Sequence, residues 1–276
     1  MTRQNSRERK LEHLREYIGR LESVLVAFSG GVDSAFLLYV SRQVLGDKAV
    51  AATAVSEVQF LQELTAAREI ARKLSVRHIV FECRVLSDRN FSRNSPERCY
   101  TCKKRIFEKI AAYAARHGLR HIIDGSNLDD AQDYRPGTRA LHALGVKSPL
   151  QEALFTKAEI REASRALHLP TWNRPAVSCL ASRIPYGTPI TAHNLGMVRQ
   201  AEDFLRTLGF RQFRVRHHGD IARIELSPQD MERAFSRSVT TEIVDRLKGL
   251  GYAYVALDLE GYRMGSLNEV LRVKSE

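Results

Sequence analysis

Cysteine is scarce, with four residues in a chain of 276. Four do not make a disulfide scaffold in a chain long enough to bury a sizeable core. No apolar run approaches the ~18 residues that a membrane-spanning helix needs. The stretch Met1 to Glu22 is charged and helix-like, without the apolar segment of a secretory signal. These absences predict a cytoplasmic protein with no membrane partner. In a reducing compartment, cysteine spacing points to metal or redox chemistry. Acidic residues are outnumbered, 32 Asp and Glu against 43 Lys and Arg, for a net charge of +11. That balance favours anionic partners such as nucleotides, phosphates or RNA. There is one Trp, and four of the eight prolines (Pro170, Pro175, Pro185, Pro189) crowd into one short stretch with it.

What is present is organised around Val24-Leu-Val-Ala-Phe28-Ser29-Gly30-Gly31-Val-Asp33-Ser34. Five apolar residues in a row read as a buried parallel strand, and Ala35 to Ser41 reads as a helix. A strand entering a helix through glycines makes a nest of free backbone N–H groups, suited to an anion. Gly30 and Gly31 let the main chain approach without Cβ clashes, and Ser29 and Ser34 add hydroxyl donors. Asp33 can hold Mg²⁺ against phosphate oxygens. The loop lacks the Gly-Lys-Ser/Thr ending of a Walker A motif.

Strand and helix patterns alternate from there: strands at 49–55 and 77–81, helices to about Leu45 and over Leu61–Leu74. This is the βαβ pattern of a parallel sheet, whose ligands bind at the C-terminal strand ends. Cys99-Tyr-Thr-Cys102 stands just before a helix expected over Arg105–His117, and Arg98, Lys103 and Lys104 beside it favour thiolate. Cys179 is a third metal-ligand candidate; Cys83, just past an apolar strand, reads as a buried structural thiol. His121–Asn127 reads as a strand ending in a polar turn, followed by a charged loop over Asp129–Gly137. Thr156-Lys-Ala-Glu159 has capping-box spacing before a helix reaching Leu167. Pro170–Gly187 reads as an ordered, irregular connector. Beyond it, a helix, a strand pair around Gly219-Asp220, two helices and a last strand predict an α+β domain, with a ferredoxin-like arrangement as a candidate. The expected division is a parallel-sheet α/β domain over 1–184 and a smaller C-terminal domain over 185–276.

The Ser29–Ser34 loop resembles the PP-loop of N-type ATP pyrophosphatases. That resemblance implies ATP and Mg²⁺, with adenylation of a carboxyl or carbonyl oxygen. It also implies that Ala54 to Ser56 flanks the adenine, and that Gly125, Ser126, Asn127 and Asp129 lie near the ribose and phosphates. Together with Arg98–Lys103, Asp124–Asn127 and Ser178-Cys179-Leu-Ala-Ser-Arg183-Ile-Pro-Tyr186-Gly187, the loop is similar to the LarE family. Those are ATP-dependent sulfur transferases that build the nickel-pincer nucleotide cofactor of lactate racemase. The resemblance implies adenylation of a pyridinium-3,5-biscarboxylic acid mononucleotide and its conversion to a thiocarboxylate, with Cys179, Asp33, Ser34 and Arg183 in catalytic roles. It leaves two sulfur sources: a 4Fe–4S cluster on Cys99, Cys102 and Cys179, or Cys179 itself as a sacrificial donor. Three cysteines match the cluster form. A sulfide source or sulfur-delivery protein is the implied partner. Arg214 and Arg216 share a strand face with Arg223 and Glu225 opposite. The family reading makes them a clamp for the substrate's phosphate, at a subunit interface of a homo-oligomer. Trp172, Arg183 and Tyr186 are candidates for the substrate pocket. The rivals are a tRNA-thiolating PP-loop enzyme, an ammonia-using synthetase and a non-catalytic nucleotide binder. No RNA-binding module accompanies the loop.

Overall fold

The computed structural model describes residues 3–132, 136–175, 178–263 and 265–272. The parts of the charged loop at 133–135 and of the connector at 176–177 lie outside the described residues. In chain order the first elements are α1 (Arg3–Gly19), β1 (Val24–Ala27), α2 (Val32–Leu45), β2 (Ala49–Val55), α3 (Leu61–Lys73) and β3 (Arg77–Glu82). Then come α4 (Arg89–Ser92), α5 (Arg98–Arg116), β4 (His121–Ile123), α6 (Pro136–Ala143), α7 (Pro149–Glu152) and α8 (Lys157–Ala166). The last are α9 (Ala192–Thr207), β5 (Phe213–His218), β6 (Ile221–Leu226), α10 (Pro228–Ala234), α11 (Arg237–Gly249), β7 (Tyr254–Leu257) and α12 (Glu269–Arg272).

The chain forms two compact units. One comprises residues 1–85 and 96–177, the other 86–95 and 178–276. The expected boundary at 184/185 is therefore shifted, and Cys179 and Arg183 belong to the second unit. The short segment 86–95 belongs there too, because the buried Asn94 amide donates to the carbonyls of Ile184, Pro185 and Thr188.

The first unit is built on a four-stranded sheet ordered β3-β2-β1-β4, parallel throughout. Alternate residues of the strands face opposite ways, as the pleat requires. Val24, Val26, Ala49 and Ala51 pack with Leu14, Ile18, Phe36 and Ile160 on one side. Leu25, Val50 and Ala52 pack with Phe107, Ile110 and Leu141 on the other. The result is a helix–sheet–helix sandwich, and strands buried on both faces explain the continuous apolar runs. Chain order reverses between β1 and β4, so a crevice opens at their C-terminal ends.

Two local expectations change. Helix α5 begins at Arg98, ahead of the expected Arg105, so both cysteines of the CxxC lie inside it. Its first turn is pinned by Arg139, which pairs with Glu97 and stacks its guanidinium 5.3 Å from the Tyr100 ring centroid. The charged loop over Asp129–Gly137 contains a 3₁₀ turn at Asp129–Gln132, and α6 starts within it at Pro136. The capping box on α8 forms as the spacing predicts: Thr156 Oγ1 accepts from Glu159 N–H, and Glu159 accepts from Thr156 N–H.

The second unit carries a three-stranded sheet ordered β5-β6-β7. Strands β5 and β6 form an antiparallel hairpin, and β7 joins β6 in parallel after the chain passes through α10 and α11. That parallel pairing departs from a ferredoxin-like sheet, in which all neighbours are antiparallel. Val215, Ile224, Leu205 and Leu247 form its core, on the sheet face opposite the arginines.

Candidate active site

The loop after β1 closes on itself. Ser34 Oγ lies 3.2 Å from Ser29 Oγ and donates to Gly31 O at 3.2 Å, and Gly31 N–H donates to Ser29 Oγ at 3.3 Å. Gly30 takes a left-handed φ of +77°, and a Cβ there would press on Ala67 of α3 at 3.1 Å. No side chain caps the N-terminus of α2, so its first amides are left for an anion. Thr53 of β2 fixes the entry to the loop by donating its hydroxyl to Phe28 O at 2.6 Å.

The end of β4 approaches from the other side of the crevice. A Cβ on Gly125 would fall 2.9 Å from Ser34 N, so only glycine lets this strand end lie against the first turn of α2. Asp124, nearly buried, accepts from Ser126 Oγ at 2.6 Å and Ser148 Oγ at 2.7 Å. Asn127 Nδ2 reaches Asp33 Oδ1 at 3.5 Å. The other Asp33 oxygen pairs with Lys157 Nζ, and Lys157 N–H donates to Asp129 Oδ2 at 2.8 Å. A cation thus already sits on the carboxylate expected to hold Mg²⁺. An aspartate, neighbouring oxygens and incoming phosphates make the hard-donor set that Mg²⁺ takes.

Ser29, Asp33, Ser34, Ala54, Gly125 and Ser126 line one cleft; Gly30, Gly31, Asn127 and Asp129 are not among its lining residues. Ser56 is not among its lining residues; its N–H holds Gln59, which is. Lys103, Ile106, Phe107 and Ile110 of α5 complete the wall. Cys99 and Cys102 precede Lys103 and Ile106 by four residues each. Helical spacing therefore puts both thiols on the cleft-facing stripe of α5, one turn towards its N-terminus. Both are half-buried.

Cys179, in the second unit, is exposed and precedes a 3₁₀ turn at Leu180–Arg183. Arg183, expected in a catalytic role and at the substrate pocket, makes buried contacts with its own unit. It is buried to 1% exposure, paired through both ends with Glu202 at 2.8 and 2.9 Å. Its remaining donors hold Ser178 O at 2.8 Å and Cys179 O at 3.1 Å. Arg216 is likewise buried, paired with Glu225 at 2.8 and 2.9 Å, and donates to Ser182 O. Two buried Arg–Glu pairs thus fix the turn that carries Cys179. The register does place Arg214 opposite Glu225 and Arg216 opposite Arg223, on one face. Arg223 also meets Glu225 and Asp258, each at 3.2 Å. Arg214 is different: it donates to Phe213 O and to Tyr262 Oη and lies over the Tyr262 ring. Burial, with Arg183 and Arg216 nearby, lowers its pKa. A desolvated cation among cations is the member of the group best suited to a phosphate. Tyr186 Oη donates to Asn268 at 3.0 Å, and Trp172 packs under Arg165.

The NAD synthase family matches residues 7–108. The chain is 40% identical over 253 residues to pyridinium-3,5-bisthiocarboxylic acid mononucleotide synthase of Lactiplantibacillus plantarum, covering 91% of each chain. It belongs to the LarE family. An uncharacterised protein of Synechocystis sp. is 42% identical over 264 residues, 96% of this chain and 98% of the relative. One from Methanocaldococcus jannaschii is 26% identical over 242 residues, 88% and 91% respectively.

A LarE-family chain is a sulfur-transferring enzyme on a PP-loop domain, and the family implies ATP and Mg²⁺. Among the described residues, no group of three or more His, Cys, Asp or Glu is placed to hold a metal ion. No helix among them is long and apolar enough to cross a membrane. Sequence reasoning missed Lys157 and Gln59, took Asp124 only as part of the Asp124–Asn127 motif, and took Lys103 only as a neighbour of the thiols. Lys157 had a readable signal, since it opens a helix whose capping box was plain.

Proposed function

We propose that this protein adenylates a carboxylate of pyridinium-3,5-biscarboxylic acid mononucleotide and converts it to a thiocarboxylate. The carboxylate oxygen attacks the α-phosphorus of ATP, and pyrophosphate leaves. A sulfur nucleophile then attacks the acyl carbon, and AMP leaves. The observation that carries this reading is the stripe on α5, where Cys99 and Cys102 stand one turn before Lys103 and Ile106 in the wall of the phosphate-loop cleft. On this reading the loop activates the carboxylate and the helix contributes to sulfur delivery. The first amides of α2, with Ser29 and Ser34, bind the departing pyrophosphate; Asp33 would hold Mg²⁺, which would supply neutralisation of the phosphate charge. Asn127 and Lys157 orient the Asp33 carboxylate. Arg214 takes the mononucleotide's phosphate.

For the sulfur we propose a 4Fe–4S cluster on Cys99, Cys102 and Cys179, which would supply a labile sulfide to the activated carboxylate. The thiolate donor chemistry suits such a cluster; the reading rests on residue type and on the spacing of the first two. The exposure of Cys179 favours a second reading, in which its own sulfur is transferred and the residue becomes dehydroalanine. Anaerobic purification with iron and sulfide analysis, then mass spectrometry after turnover, separates them. Iron held by the wild type and lost in Cys99→Ala supports the cluster. A chain without iron that becomes lighter by one H₂S at Cys179 rejects it. If ATP is not cleaved to AMP and pyrophosphate in the presence of the dicarboxylate, the whole reading falls.

A further inference from the structure

Arg174 lies in the stretch between Pro170 and Pro175, where the sequence offered only Trp172 as a candidate. Its Nη1 donates to Gly30 O, inside the phosphate loop, at 3.1 Å. Its backbone is held in turn: Arg161 of α8 donates Nη1 to Trp172 O and Nη2 to Arg174 O, both at 2.8 Å. Arg161 follows Lys157 by four residues, so both stand on one face of α8, and Lys157 reaches Asp33 in the same loop. Helix α8 and the segment behind it therefore bring two cations to one phosphate loop. Lys157 meets a carboxylate there. Arg174, half-buried, meets only a carbonyl among the described residues. A partly desolvated guanidinium with most of its N–H donors unused is a site for a multiply charged anion.

We propose that Arg174 binds the pyrophosphate end of the nucleoside triphosphate and stabilises the pyrophosphate that leaves. Arg161 is its positioning residue. The proposal rests on reading the Ser29–Ser34 loop as the ATP site. The anchor on Gly30 O fixes one edge of the guanidinium, and the free edge is left for β- and γ-phosphate oxygens. AMP lacks those oxygens, so Arg174 discriminates ATP and pyrophosphate from AMP.

The test is calorimetric titration of the full chain with Mg–pyrophosphate, Mg–ATP and AMP. Arg174→Gln is expected to weaken pyrophosphate and ATP by roughly tenfold or more, the scale of a charge-assisted hydrogen bond, and to leave AMP unchanged. Arg161→Ala is expected to act in the same direction and less strongly. Equal weakening of AMP and pyrophosphate, or no weakening, overturns the proposal. So does weakening of the phosphorylated mononucleotide in place of pyrophosphate, because that phosphate is the other source of the same chemistry. If Arg174→Gln does not fold, Arg174→Lys keeps the charge and loses the planar fork. It must then show reduced pyrophosphate affinity with intact AMP binding. Pyrophosphate binding that depends on Arg174, in a protein that never adenylates the dicarboxylate, would reject the function proposed above and leave this assignment standing.

Discussion

Arg183 and Arg214 are the same amino acid in the same unit, and their surroundings give them different work. Arg183 is neutralised by Glu202, which also accepts the backbone N–H of Val215 at 3.1 Å. The pair joins β5 to the turn bearing Cys179. Glu202→Gln leaves Arg183 buried without a counter-ion, a loss of about 3–5 kcal/mol. The expected result is a clear fall in the unfolding temperature of the second unit by scanning calorimetry; an unchanged transition would show the pair to be dispensable. The Cys-Leu-Ala-Ser-Arg block was legible as a motif. Its arginine's role was not, because the partner is Glu202, a residue on α9 that no local pattern connects to it.

At the scale of elements, the site depends on how closely β4 and α2 approach. Gly125 was singled out in the sequence as part of a strand-end turn near ribose and phosphates. The structure gives it a more specific duty, since its missing Cβ makes room for Ser34 N at 2.9 Å. Gly125→Ala is expected to push the strand end off the helix, at about 1–3 kcal/mol of overpacking. The expected signature is an ATP dissociation constant raised about tenfold in a protein that still folds, measured by titration. Unchanged ATP affinity would mean that the strand end gives way freely. Helix α5 shows the opposite relation of sequence to structure. The cysteine spacing is visible in the sequence, but the pattern puts the helix start at Arg105, because Cys, Tyr and Thr are weak helix formers. The Glu97–Arg139–Tyr100 contacts, made from α6, decide the first turn. Only with the helix begun at Arg98 do both thiols fall on the stripe of Lys103 and Ile106.

At the scale of the whole molecule, each unit has its own core: the first around Phe36 and Leu25, the second around Val215 and Leu247. The described residues that line the phosphate-loop cleft belong to the first unit. Heating the free protein should therefore give more than one transition, so that a single unfolding free energy does not describe it. Mg–ATP at about a hundred times its dissociation constant adds about 2.7 kcal/mol to the unit that binds it. Calorimetry should show one transition moving up by several degrees while the other stays. Equal shifts in both would show the two units to unfold as one.

The sequence alone determined the four strands of the first unit, its helices α2, α3 and α8, and the anion loop. It also determined the capping box on α8 and the membership of Arg214, Arg216, Arg223 and Glu225 in one strand face. All of these are set by local periodicity, glycine placement and side-chain alternation. The tertiary structure decided which of those arginines pair with carboxylates and which, among the described residues, meets a carbonyl and a phenol. It brought Lys157 onto Asp33 and Arg174 onto Gly30, and moved Cys179 into a unit with 86–95. Those outcomes rest on partners distant in the chain, and whether a charge is buried against a carboxylate or left to a ligand depends on the pairing that folding creates.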